Sequence, residues 1–163
     1  MNSPTGAELP RGARVVQDWL AEHGYELDVV ELPDSTRTAA DAAEAIGCEI
    51  GQIVKSLVFR AQPTGRPVLI LASGANRVDE SLIRSQLGEK ISKPDAAFVR
   101  EATGFTIGGI PPVGHTADLA TLIDQDLMQY SEIWAAAGTP FAVFRLSPEL
   151  LVEMTGGPVV RIA

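Results

Sequence analysis

The chain has 163 residues, 45% hydrophobic and 21% charged, the proportions of an ordinary globular protein rather than of a disordered or fibrous one. Its net charge of −8 argues against a broad electrostatic nucleic-acid surface, which needs an excess of cations, although a local basic rim stays compatible with it. The single cysteine, Cys48, excludes an internal disulfide, and with only His23 and His115 besides no metal-ligand spacing can be assembled, so no structural metal is expected.

The first dozen residues, with Pro4, Gly6, Pro10 and Gly12, read as a flexible tail over 1–12, followed by a single domain over 13–163. The start carries no basic-then-apolar signal pattern, and no apolar run approaches the roughly 18 residues of a membrane span. A cytoplasmic protein is expected. Order is predicted to begin near Ala13. Val16, Trp19, Leu20 and His23 then fall at helical spacing, with Gly24 placed to stop the helix. Tyr25 to Leu32 reads as a strand. Thr38-Ala39-Ala40-Asp41 resembles a capping box with Asp in place of Glu, opening an alanine-rich helix that Gly47 can close.

Next comes the apolar run around Lys55, then the turn residues Gln62 to Arg66, then the apolar run Val68 to Ala72, so an antiparallel pair spans Ile53 to Ala72. Ser73-Gly74-Ala75-Asn76 reads as a turn, since it lacks the ending of a phosphate-binding loop. Asp79 caps a helix through Leu87. Lys90 and Lys93 fall in a polar, turn-rich stretch, and Pro94 suits the first turn of a helix ending before Gly104. Leu119 to Ile123, Glu132 to Ala136 and Phe141 to Leu146 read as strands. Ser147-Pro148 opens a last helix, Gly156 ends it, and a strand over Val159 to Ile162 follows. Several consecutive strands among helices predict an α+β fold rather than a doubly wound sheet.

Two features could carry chemistry. Lys55 is the only one of three lysines inside a hydrophobic segment, Ile53-Val54-Lys55-Ser56-Leu57-Val58-Phe59. Either its stem lies on the core while its ammonium reaches water, as edge-strand lysines do, or it is a cation at a cleft. The segment Gly108-Gly109-Ile110-Pro111-Pro112-Val113-Gly114 offers bare backbone amides on a proline-stiffened frame, which suits an oxyanion or a carboxylate but equally suits a tight structural turn. His115, just after this loop, is a candidate for the pocket mouth, and its alternative is an exposed loop histidine. His23 reads as a packing histidine on the helix's apolar face. No nucleophile elbow or Ser-His-Asp set is visible.

In sequence order, these residues resemble a known family, the prolyl-tRNA editing domains, also called YbaK-like. Thr38 to Ala43 with Ile46-Gly47 and then Ile53 to Val58 looks like the family's helix leading into its lysine strand. Gly104 to Gly114 is similar to its G-x-x-x-P loop, with Gly108 and Pro112 as the pair. Thr121 to Asp124, Ile133 to Gly138 and Ser147 to Leu151 follow in the family's order, so the similarity runs from about Ala13 to Ala163.

The resemblance implies a partly barrel-like mixed sheet flanked by helices, and hydrolysis, without metal or cofactor, of the ester joining a wrong amino acid to the 3′ end of a tRNA. By the same resemblance Lys55 is the required lysine near the terminal adenosine, Gly108 contacts the aminoacyl group through its backbone, and Pro112 fixes the loop. Ser56, Gly109 and Ile110 shape the amino-acid pocket, Gly138 and Thr139 form its wall, and His115 is placed among the substrate-binding residues. With no synthetase domain in the chain, it is expected to act in trans on tRNA(Pro) carrying alanine, cysteine or serine. Modest tRNA affinity is expected, with Arg37, Arg60 and Arg77 as candidate contacts. The rivals are a binding module that keeps the fold without turnover, and a hydrolase of small free esters.

Overall fold

Caps and glycines set most of the element boundaries in the computed structural model, which describes residues 9–163. Helix α1 (Arg11–Glu22) leads to the short strand β1 (Val30–Glu31). Helix α2 (Ala39–Ile46) starts at Thr38, whose side chain accepts the Asp41 N–H at 3.0 Å. Strands β2 (Ile53–Gln62) and β3 (Pro67–Ser73) form the predicted hairpin, and α3 (Glu80–Leu87) is capped by Asp79. After β4 (Lys90–Ser92) and α4 (Ala96–Thr103) come β5 (Ala120–Asp124), β6 (Ile133–Ala136) and β7 (Ala142–Leu146). Helix α5 (Pro148–Thr155), capped by Ser147, and β8 (Val159–Val160) complete the fold. Short 3₁₀ turns at Ile50–Gln52 and Gln125–Gln129 precede β2 and follow β5.

The strands form one mixed sheet in the order β1-β7-β6-β2-β3-β5-β8, with β4 also on β2. This is the mixed α/β architecture expected of an editing domain, and the strand path stays open between β1 and β8. Strand β3 is buried from 68 to 73, so its unbroken apolar run reflects coverage on both faces. One face packs Val54, Val58 and Leu71 against Val16 and Leu20 of α1 and Leu151 of α5. The other packs Phe59 and Ile70 against Ile83 of α3, while Ile53 meets Ala42 and Ala43 of α2. Each fully buried Leu or Ile contributes about 1.5–3 kcal/mol.

The sheet is split along β2. Residues 54–60 pair with β3 on one edge; on the other, β6 pairs only with Ile53 and Val54, and β4 only with Arg60, Ala61 and Gln62. Among the described residues the edge from 55 to 59 therefore has no strand partner, and the strands diverge just where Lys55 stands.

Several expectations are corrected. The predicted strand from Tyr25 to Leu32 shrinks to Val30–Glu31. The side chain of Gln17 donates to the Leu27 carbonyl and accepts from the Val29 N–H, meeting backbone needs that a ladder would otherwise meet. The lysine stretch expected to be a turn forms β4, because Ile91 is buried against Phe59 and Ile83. Pro94 precedes the cap Asp95 instead of lying in the first turn. The final strand stops at Val160. Helix α1 starts at Arg11, two residues before the predicted onset of order, and Leu9 is buried in the core; the rest of the predicted tail, 1–8, lies outside the described residues. His23 is exposed, stacked on Trp19 with ring centroids 3.8 Å apart, not packed in the core.

Candidate active site

Where β2 and β6 part, a cleft of about 450 Å³ opens between the start of β2, the N-terminal part of α2 and the glycine-proline loop. Lys55, Ser56, Gly108 and Ile110 all line it, together with Arg37 and Trp134. The sheet split explains how two successive residues of one strand, Lys55 and Ser56, which point to opposite faces, can both border one cavity.

Lys55 is half-buried, and its ammonium donates to the backbone carbonyl of Asn76 in the turn after β3. Burial pulls its pKa below the ordinary lysine value, and the carboxylate of Asp124 acts in the opposite direction. Asp124 is 1% exposed. It accepts hydrogen bonds from the Ser73 N–H, the Asn76 side-chain amide and the Asp126 N–H, each at 2.9 Å. The Asn76 amide also reaches Asp126 at 2.7 Å. The lysine therefore points not freely into water but onto a turn clamped from behind by a buried anion.

The opposite wall is held differently. Gly108 has φ 104°, and its N–H meets no acceptor among the described residues. A backbone N–H at the edge of a cleft is the kind of donor that a developing oxyanion can use. Next to it the chain is interlocked: the Gly109 carbonyl accepts the Gly138 N–H at 2.8 Å, and a Cβ on Gly109 would fall 2.7 Å from backbone atoms of Thr139. A Cβ on Gly138 would meet the Gly12 carbonyl oxygen at 2.3 Å. Gly109, Gly138 and Thr139 thus support the loop from outside the cleft and do not border it. Ile50 and Ile107, both exposed, form an apolar rim, and the buried Ser56 hydroxyl and Trp134 indole N–H meet no hydrogen-bond partner among the described residues.

Pro112 and His115 lie elsewhere. They border a second, smaller cavity of about 190 Å³ behind the loop, beside Trp19, Asp118 and Thr155. The His115 Nε2 donates to the Pro111 carbonyl at 2.6 Å, and burial lowers its pKa. The histidine expected at the pocket mouth braces the loop's far side. Of the three arginines named from sequence, only Arg37 lines the cleft; Arg60 sits over the Phe98 ring at 5.1 Å.

Asn76 and Asp124 are the residues that motif reading passes over. The hairpin holds their signal. Lys55 pairs with Ala72, so the turn that follows Ser73 must fold back beside the lysine, and a turn ending in Asn can both accept through its carbonyl and tie itself down through its amide. Among the described residues no group of three or more His, Cys, Asp or Glu is placed to hold a metal ion, and no helix is long and apolar enough to cross a membrane.

Three similarities bear on this arrangement. "Uncharacterized protein YwhH" of Bacillus subtilis is 33% identical over 140 residues, covering 86% of this chain and 88% of its own length. "Putative Cys-tRNA(Pro)/Cys-tRNA(Cys) deacylase EbsC" of Enterococcus faecalis is 29% identical over 126 residues, covering 77% and 76%. A crystal structure described as "a putative trans-editing enzyme for prolyl tRNA synthetase" superposes with a TM-score of 0.89 at 48% identity, covering 94% of this chain and 98% of that one. The sequence profile of the aminoacyl-tRNA editing domain matches residues 33–154, the stretch that holds both walls of the cleft, and the chain belongs to that family.

Proposed function

We propose that the chain is a trans-acting deacylase that hydrolyses the ester of a mischarged tRNA, tRNA(Pro) carrying a small wrong amino acid such as alanine, cysteine or serine. Family membership supports aminoacylated tRNA as the partner. Action in trans rests on the likeness, over 98% of its length, to the structure described as a trans-editing enzyme. The cytoplasm, where charged tRNAs circulate, is the compartment this reading requires. The observation that carries it is geometric: Lys55 and Gly108, far apart in sequence, border the same cleft.

The chemistry is acyl transfer to water. Water oxygen attacks the ester carbonyl carbon and the carbonyl oxygen takes up negative charge; as the carbonyl re-forms, the bond to the ribose oxygen breaks and the proton given up by the water ends on that oxygen, leaving the free amino acid and the tRNA 3′ end. The Gly108 N–H and the Lys55 ammonium donate to the developing charge. An ester linkage is activated enough that positioning and preorganised donors supply the acceleration without a protein nucleophile. Lys55 serves as a charge-stabilising cation. Ser56, Ile110 and Trp134 border the amino-acid side chain; Gly109, Pro112, Gly138, Thr139 and His115 hold the loop in place. Arg37 supplies one cation at the cleft, and with a net charge of −8 tRNA is held weakly and locally, giving a shallow salt dependence.

The test is release of amino acid from tRNA(Pro) charged with alanine, cysteine or serine, then from other tRNAs so charged. Lys55→Ala is expected to keep the fold and to lose about a hundredfold or more in turnover. Full turnover in folded Lys55→Ala would remove the lysine from the mechanism. No release from any substrate by the unaltered protein would favour a binding module on the same fold.

A further inference from the structure

The following rests on Lys55 as the working cation of the cleft. We infer that Asp124 is a positioning residue for Lys55: a buried carboxylate, built into the turn that accepts the ammonium, keeps that ammonium charged and aimed at the cleft. Asp124 ends β5 and is 1% exposed. Burying a carboxylate costs several kcal/mol unless hydrogen bonds and an opposite charge compensate. Its three donors, Ser73 N–H, Asn76 Nδ2 and Asp126 N–H, are all neutral. Among the described residues the only ion pairs are Arg66 with Glu89 and Arg145 with Glu132, so Asp124 has no cation in direct contact.

Its charge is therefore solvated by amides and left unneutralised. Asn76 joins it to the lysine: its side chain donates to Asp124 while its carbonyl accepts from Lys55. The turn is fixed by the anion at one end and holds the cation at the other. Burial lowers the Lys55 pKa and Asp124 opposes that fall, in keeping with the geometry. The other charges near Lys55 are few. Among the described residues Arg37 is the only other charged residue lining the cleft, and Asp124 is the charge that acts on the Lys55 pKa. Asp126, on the same Asn76 amide, is exposed, so water and salt screen it.

The chain has only Lys55, Lys90 and Lys93, so the lysine Cε resonances can be assigned with Lys55→Arg and titrated by NMR, independently of activity. In Asp124→Asn the Lys55 resonance is expected to titrate at lower pH than in the unaltered protein, and Asp126→Asn is expected to move it less. Deacylation of mischarged tRNA should show the same displacement: a required cation moves the alkaline limb of kcat to lower pH, with KM changed less than kcat. Asn76→Ala keeps the carbonyl but cuts the turn's link to Asp124, and is expected to cost about ten- to a hundredfold in kcat through misplacement of the lysine.

An unmoved Lys55 titration in folded Asp124→Asn would overturn the inference. Should that variant not fold, Asn76→Ala decides: unchanged kcat together with unchanged titration would overturn it equally. If the unaltered protein released no amino acid from any tRNA, the deacylase reading would fail, and the titration would still decide whether Asp124 governs Lys55.

Discussion

The two walls of the cleft are built on different physics. The lysine wall is electrostatic: a half-buried ammonium, a carbonyl, an amide and a buried carboxylate arranged in a hydrogen-bonded chain. The loop wall is steric, with Gly109 and Gly138 in backbone contacts that admit no side chain, and His115 bracing Pro111 from behind. Substitutions on the first wall that face the cleft, such as Lys55→Ala, should alter titration and turnover more than stability. On the second wall they should cost stability, except where a residue faces the cleft and not its support.

Gly109→Ala is the most damaging change expected within the 108–114 segment. Its Cβ would lie 2.7 Å from the Cα and carbonyl carbon of Thr139 and 2.8 Å from its nitrogen, and backbone cannot swing aside as a side chain can. Overpacking of this kind costs about 3 kcal/mol, read as a lowered urea midpoint, and turnover falls with the displaced loop. An unaltered midpoint would show that the interlock between 109 and 139 is loose.

Gly108→Ala sharpens the contrast from one residue away. The atoms nearest its new Cβ would be those of the Arg37 side chain, with Cγ at 3.2 Å on a flexible exposed residue, so the penalty comes mainly from φ 104°, about 1–2 kcal/mol. Deacylation should fall much further than stability, because the amide at 108 borders the cleft. Equal losses in the two substitutions would mean that the loop has no division between support and site.

Much of the fold was legible because its signals are local. Thr38, Asp79 and Ser147 each cap a helix that the spacing predicts, and the 62–67 turn with its flanking apolar runs yields the hairpin. Of the strand expected over Tyr25 to Leu32 only Val30–Glu31 formed, because a strand pattern says nothing of a rival partner, and Gln17 supplied one to the residues before it. The site divides along the same line. Lys55 and Gly108 stand out by composition and by order along the chain. Asp124 does not, because its role depends on β5 lying parallel beside β3, a long-range pairing that places residue 124 next to residue 73. His115 was named for its sequence position after Gly114, yet its side chain faces the back of the loop.

His115→Phe tests the brace. It removes the donor to the buried Pro111 carbonyl and should cost about 1–2 kcal/mol. A pH signature separates this from simple repacking. Burial holds the folded-state pKa of His115 below its ordinary value of 6.5, so between the two values the unfolded chain binds the proton more readily. Stability then rises with pH through that interval: the contribution is fully present above the unfolded value and is lost as pH falls below it. His115→Phe should flatten this slope in unfolding experiments run from about pH 5 to about pH 7, and an undiminished slope would assign it to other groups.

Thr36→Val carries the smallest expected effect and probes whether the walls are independent. Thr36 is buried, and both its N–H, at 2.6 Å, and its hydroxyl, at 2.8 Å, donate to the Pro140 carbonyl next to the loop's support. Valine keeps the backbone bond and the bulk and loses only the hydroxyl donor, so the carbonyl remains satisfied and the cost is about 0.5–1 kcal/mol. Thr36 shares the cleft with Lys55 but bonds to Pro140 and not to the Lys55-Asn76-Asp124 chain, so the Lys55 titration should stay in place. A displaced lysine titration in Thr36→Val would show that strain on the loop side reaches the charge network, and that the two walls respond as one body.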